Sequence, residues 1–278
     1  ELIEETKGFF LKTLRRCEFY EYAQDFLVGR NYESEFDSVF TLSGAFSAFR
    51  KSTILKTQLY NTDTVCEDTH VTFQVRKYLN KQVFLCENAF FFVDPIENVD
   101  KLYTQRQRWQ RGEIEVVHMF LKKELQPSKA LLSNFVIRLI MYDHTFAFPR
   151  MIWYFALICL VFMNYPMKLV VGSVIVIYVF YIMTAYMYFA NICAFLKQYK
   201  EIRKYYVSKF YILPLLPLYS FGIFWIRFAG IINGIKSNSA WKTRNLTEEN
   251  HDFWAVVRKD FAPLIYLVGK IKKIFNYD

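Results

Sequence analysis

Tyr103-Thr104-Gln105-Arg106-Gln107-Arg108-Trp109 is the stretch on which the reading of this chain turns. Gln105-x-x-Arg108-Trp109 sets an amide, a fixed cation and an aromatic plane on one short element. Those groups suit a diphosphate and a sugar ring. A solvated basic helix with one Trp on its buried side fits the same pentapeptide, because basic runs are common. The sequence on either side decides between the two.

Upstream, apolar and polar positions alternate with the periods of helices and strands. Residues 1–28 have helical spacing, with Phe9, Phe10, Leu14, Phe19, Tyr22 and Phe26 as one expected buried face. Val39-Phe40-Thr41-Leu42 is a β-prone run that stops at Ser43-Gly44. Asp68 to Leu79 reads as a helix, since Val71, Val75, Tyr78 and Leu79 fall three or four apart. Val83-Phe84-Leu85 and Ala89-Phe90-Phe91-Phe92-Val93 read as strands, the second stopped by Asp94-Pro95. Residues 98–124 read as the helix that carries Gln105, Arg108 and Trp109. Mixed strands and helices predict an α/β domain over residues 1–125.

Downstream the solvent changes. Residues 130–147 are apolar but hold Arg138, Asp143 and His144, so a helix lying on the membrane face is expected there. Residues 147–164 can just span a bilayer, and Asn164-Tyr165-Pro166-Met167-Lys168 is a turn. Leu169 to Leu196 carries no charge and exceeds the ~20 residues a crossing needs. Lys197, Lys200, Arg203, Lys204 and Lys209 follow, and a basic loop belongs on the cytoplasmic side. Residues 211–235 are long enough to cross, but Pro214, Pro217 and Arg227 interrupt them. A re-entrant or interfacial segment is expected there, which keeps the basic tail from Lys236 in the cytoplasm. Three regions result: 1–125, 126–235 with two transmembrane helices (147–164 and 169–196) and interfacial helices, and 236–278. The last ends in a basic amphipathic stretch suited to a membrane surface, or to docking on the protein's own soluble domain.

Composition agrees with this division. Hydrophobic residues make up 54% of the 278 and aromatics 19%, rich for a soluble protein, yet 22% is charged. The net charge of +9 has two explanations, nucleic acid or an anionic membrane face with an anionic substrate. Lys and Arg cluster beside the apolar segments, which favours the second and leaves no role for nucleic acid. Cys17, Cys66, Cys86, Cys159 and Cys193 are odd in number and widely spaced, so neither a zinc site nor a disulfide framework is indicated. The N-terminal Glu-Leu-Ile-Glu-Glu is not a signal peptide, and without an initiator Met the chain reads as a piece starting mid-protein.

Sugar transfer with inversion needs a carboxylate to take the acceptor hydroxyl's proton, and cations to hold a nucleoside diphosphate leaving group. Asp68 follows Glu67 and opens a helix, where the N-terminal dipole favours an ionised carboxylate. Asp68 taken alone also reads as an ordinary first-turn acid.

Four features in order resemble the processive family 2 glycosyltransferases, the cellulose, hyaluronan and poly-N-acetylglucosamine synthases. Leu42-Ser43-Gly44-Ala45 with Phe49-Arg50-Lys51 is similar to the segment lining the acceptor side of the sugar pocket. Cys66-Glu67-Asp68 resembles the Glu-Asp motif, and Gln105-x-x-Arg108-Trp109 matches the family signature. Ala240-Trp241-Lys242-Thr243-Arg244 resembles the Trp-Gly-Thr-Arg gating loop, with Lys242 in place of Gly. The resemblance spans roughly residues 10–245. It implies a partial GT-A-type domain ahead of the membrane helices, in a multi-pass protein of the plasma membrane. Asp68 would be the general base, with Ser43, Gly44, Glu67, Gln105 and Arg108 binding substrate. Trp109 would be the floor on which the acceptor sugar stacks, and Trp241, Thr243 and Arg244 would close over the nucleotide. The implied partners are a nucleotide-sugar donor (a UDP-sugar), a polysaccharide acceptor and membrane lipid.

The resemblance also implies a divalent metal, Mg or Mn. Its Asp-x-Asp ligands and the uridine-binding Asp have no counterpart before residue 40, where Asp25 and Asp37 stand isolated. No metal ligand is therefore assigned to this chain, and the chain alone is expected to be inactive. Two alternatives remain: a non-processive family 2 transferase acting on a lipid-linked sugar, and a non-catalytic glycan-binding membrane subunit.

Overall fold

The computed structural model describes residues 1–60, 63–121, 147–236 and 245–260. Among these residues the regular structure is helical. Helix α1 (Phe9–Tyr22) runs through a widened π segment, Ala23–Gly29, into α2 (Arg30–Glu35). A single turn, α3 (Lys51–Ile54), precedes α4 (Glu67–Phe73), which widens into a second π segment at Gln74–Tyr78. The long α5 (Val99–Leu121) carries the Gln-x-x-Arg-Trp residues. Then come α6 (Ala147–Phe162), α7 (Met167–Phe195), α8 (Lys200–Ser208), α9 (Leu216–Lys236) and α10 (Leu246–Asp260).

The three runs read as strands form no ladder among the described residues; 39–42, 83–85 and 89–93 are irregular. Helices supply some of the partners a neighbouring strand would have supplied. The Leu42 N–H donates to Thr72 Oγ1 at 3.2 Å, and the Leu85 N–H donates to Ser34 Oγ at 2.9 Å. The first two runs still bury part of their apolar residues: Val39 and Val83 join Val71 and Val75, and Phe40 joins Phe73 and Val116, while Phe84, Phe91, Phe92 and Val93 are exposed.

The buried face of α1 differs from the one expected. Phe9 and Phe10 are exposed, and the core begins at Leu14 and continues through Cys17, Tyr20 and Ala23. Cys17, Tyr20 and Ala23 meet Ala185 and Ile192 of α7, together with Tyr206, Ile212 and Leu213 after it. Tyr20 and Tyr206 stack with ring centroids 4.4 Å apart.

Two helices are long and apolar enough to cross a membrane, Met167–Gln198 and Phe210–Asn233. The first covers the stretch 169–196 where a crossing is expected. It turns Val174, Ile175, Val179, Phe180, Met183 and Met187 outward, a face suited to lipid rather than water. The second falls on the stretch expected to be broken by Pro214, Pro217 and Arg227. Pro214 lies in the 3₁₀ turn Phe210–Leu215, and Pro217 sits in the first turn of α9, where a missing N–H removes no helical bond. Arg227 is 1% exposed and donates to Gln110 Oε1 of α5 at 3.2 Å. The apolar run at the expected 147–164 crossing is shorter, Ile152–Phe162.

Helices α9 and α5 make the principal helix contact. At Gly230 a Cβ would come within 2.9 Å of the Gln107 carbonyl oxygen, so only glycine allows this approach. The helix bearing the signature residues is thus seated directly on an apolar helix.

Candidate functional site

The site starts at the N-terminus of α4. Glu67 and Asp68 occupy its first turn and are half-buried. Asp68 Oδ1 accepts the Thr69 N–H at 2.7 Å, and Oδ2 accepts the Gly44 N–H at 3.1 Å. The second bond ties the Ser43-Gly44 turn to this carboxylate. Thr41 and Thr69 hydroxyls, 2.7 Å apart, and the Leu42–Thr72 bond extend the same seam. Ser43 itself closes the turn, its carbonyl accepting the Phe46 N–H at 3.1 Å and the Ser47 hydroxyl.

Cys66 joins this turn to α5. Its Sγ lies 3.7 Å from the Arg108 carbonyl oxygen and 3.9 Å from that of Trp109. Burial pushes the Cys66 thiol pKa well up; Asp68 adds to that rise and Arg108 opposes it. The charges of Asp68 and Arg108 therefore both reach one sulfur. Glu115 braces the junction, accepting the Val65 N–H at 3.2 Å and pairing with Arg111 at 2.8 Å. Asp68, Gly44 and the Arg108–Trp109 backbone are brought together by this arrangement.

Gln105 is half-buried, and its Oε1 accepts the Tyr22 hydroxyl at 3.4 Å. Trp109 is half-buried, with ring centroids 6.3 Å from both Tyr22 and Phe26. The Arg106 guanidinium lies 4.4 Å from the centre of the indole and 5.1 Å from that of Tyr22. A cation so placed contributes roughly 0.5–2 kcal/mol. Trp241, Thr243 and Arg244 lie outside the described residues, as do most of the interfacial segment at 130–147 and the amphipathic end of the tail.

Several contributing residues escaped the sequence reading. Arg106 is 1% exposed and pairs with Glu21 Oε2 at 2.6 Å, with Glu18 Oε1 at 3.9 Å. Burial alone would lower its pKa, but Glu21, helped by Tyr219, Tyr22 and Glu18, holds it above the usual arginine value. Tyr219 of α9 donates to the same Glu21 oxygen at 2.7 Å. Burial also pushes Glu18 up, and pushes Tyr22 up to about 12. Glu21, Gln24, Asp25, Arg150, Tyr219 and Ser220 line a polar cavity of about 40 Å³. Asp25 there is driven well above the usual carboxylate range, chiefly by burial and then by Glu21. Helix α10 adds Glu249, which accepts from Gln107 Nε2 at 2.8 Å, Asn233 Nδ2 at 2.7 Å and the Tyr103 hydroxyl. The only sequence signal for these partners is polar residues on otherwise amphipathic helices.

No three His, Cys, Asp or Glu side chains converge on a possible metal position among the described residues. The Asp68 oxygens are engaged by Gly44 and Thr69. These residues do not fit the implied divalent metal, and no step below passes through it.

With this geometry in view, the comparisons identify the family. Residues 11–224 match the model of the Glycosyl transferase family group 2, well over half of the chain, so the chain belongs to that family. No curated protein and no solved structure matches significantly.

Proposed function

We propose that the chain works in a membrane-bound, processive, inverting glycosyltransferase that extends a polysaccharide from a nucleotide-sugar, a UDP-sugar, and passes it into the membrane. Family membership carries glycosyl transfer; the finer statements are supported by the site. The observation that carries them is the meeting of the Glu-Asp turn and the Gln-x-x-Arg-Trp helix at Cys66, with Asp68 held by Gly44.

In this reading the acceptor sugar lies on Trp109, whose indole is steadied by Arg106. The acceptor hydroxyl attacks the anomeric carbon as the bond to the diphosphate breaks, and Asp68 takes the hydroxyl proton. Gln105 and Arg108 bind near the departing diphosphate, which keeps the anomeric electron pair and leaves. Ser43 and Gly44 line the acceptor side and fix the Asp68 oxygen that faces them. The segment with Trp241, Thr243 and Arg244 closes over the nucleotide. The exposed Lys197, Lys200, Arg203 and Lys204 after α7 support a cytoplasmic face for the site at the plasma membrane. The seating of α9 on α5 supports an interfacial or re-entrant position for 211–235.

Asp68→Asn in the complete enzyme tests the reading. A general base contributes about 10²–10⁴-fold, so polymer synthesis should fall by that order with the fold intact. Synthesis near the wild-type rate would remove Asp68 from the role. Product length on a sizing gel separates a polymerase from a transferase that adds one sugar to a lipid-linked acceptor. Donor hydrolysis by the 278-residue chain alone should be close to background.

A further inference from the structure

The Trp109 indole is held on one face by a cation that is itself held elsewhere. Arg106 is almost fully buried, and its guanidinium sits 4.4 Å from the indole centre. One guanidinium nitrogen, Nη2, makes the 2.6 Å bond to Glu21, while Glu18 stands off at 3.9 Å. The Arg106 Nε, also buried, has no hydrogen-bond partner among the described residues. The plane of the guanidinium is therefore set mainly from its Glu21 end. The ring contacts of the indole with Tyr22 and Phe26 among the described residues are tilted or edge-on at 6.3 Å and constrain its tilt less than the guanidinium does.

Glu21 is in turn held from α9, where Tyr219 donates to the same oxygen at 2.7 Å. A chain of contacts thus runs from α9 through Tyr219, Glu21 and Arg106 to Trp109. A buried guanidinium that loses its carboxylate must seek another partner, and the stack on the indole moves with it.

We propose that Glu21 is a positioning residue for Trp109, acting through Arg106 to fix the plane of the indole and linking that plane to α9. The catalytic consequence rests on the reading of Trp109 as the acceptor floor; the positional claim does not.

The full chain is labelled with 5-fluorotryptophan in lipid nanodiscs, and Trp109→Phe assigns the Trp109 fluorine resonance by its loss. Glu21→Gln should shift and broaden that resonance and leave those of Trp153 and Trp225 in place. Arg106→Met should do the same, and the double variant should move it no further than either single change. Tyr219→Phe should give a smaller shift. A Trp109 resonance unmoved in folded Glu21→Gln, or fully additive shifts from Glu21→Gln and Arg106→Met, would overturn the proposal. If Glu21→Gln does not fold, Tyr219→Phe decides: a shifted Trp109 resonance supports it and an unmoved one sinks it. In the complete enzyme, Glu21→Gln should raise KM for an oligosaccharide acceptor by up to about tenfold, more than it lowers kcat. An acceptor KM unchanged in Trp109→Phe would remove the floor reading, while the fluorine spectra would still decide the positioning.

Discussion

Cys66 and Gly112 touch so closely that a Cβ on Gly112 would lie 2.3 Å from the Cys66 sulfur and 2.5 Å from its Cβ. This is the point where the turn bearing Glu67 and Asp68 rests on α5. No side chain larger than hydrogen fits at 112 without displacing the turn. The close approach of the two sequence motifs needs a glycine at this point.

Gly112→Ala should therefore destabilise the protein although alanine favours a helix. The helix gain is about 1 kcal/mol, whereas overpacking costs about 1–3 kcal/mol. A lower Tm and a loss of sugar transfer are expected together. Cys66→Gly should restore part of both in the Gly112→Ala background, and Cys66→Ser should restore less, because it keeps the colliding Cβ. Thermal unfolding in nanodiscs, with transfer assays on the complete enzyme, checks this.

Two glycines of α9 should part company. A Cβ at Gly230 would press on the Gln107 backbone at 2.9 Å and 3.2 Å, while one at Gly222 meets nothing within 4 Å. Gly230→Ala should lower Tm by forcing α9 away from α5. Gly222→Ala should leave Tm unchanged or raise it by the equivalent of at most about 1 kcal/mol. Equal effects at the two positions would contradict the close seating of the helices.

Acid should loosen the N-terminal segment. Glu4 pairs with Arg16 at 2.6 Å and also bonds Tyr205 and Lys209. The Arg16 hydrogen bond, against some burial, lowers its pKa to about 2. A folded pKa below the unfolded one means stability present above about 4.3, lost as pH falls toward about 2. The side chain is 34% exposed, so solvent screens part of this contribution. The Tm difference between wild type and Glu4→Gln should be constant near neutral pH and shrink through that window.

Much of this architecture was legible in the sequence where the signal is local. The α5 helix and the apolar α7 follow from periodicity and from an uncharged run longer than a bilayer needs. The closeness of Gly44, Asp68 and the Arg108–Trp109 backbone was legible only through family resemblance, because no local pattern records contacts between distant segments. The Arg106–Glu21 pair joins residues 85 apart, and Gln107–Glu249 joins residues 142 apart. Pro214 and Pro217 leave the helix interior intact, because the first lies in the 3₁₀ turn ahead of α9 and the second in its first turn. The three strand-like runs were read from β-prone composition; in the described structure none forms a ladder, Val39, Phe40 and Val83 pack against helices, and Phe91, Phe92 and Val93 stay exposed.

Glu249 receives donors from two other helices, Tyr103 and Gln107 of α5 and Asn233 of α9, and itself belongs to α10. One carboxylate thereby acts as a knot: the segments before and after residues 237–244 are moored to the helix that bears Gln105, Arg108 and Trp109. Shifting either mooring drags the signature helix with it, so the two ends of that stretch and Gln105, Arg108 and Trp109 share a single mechanical frame.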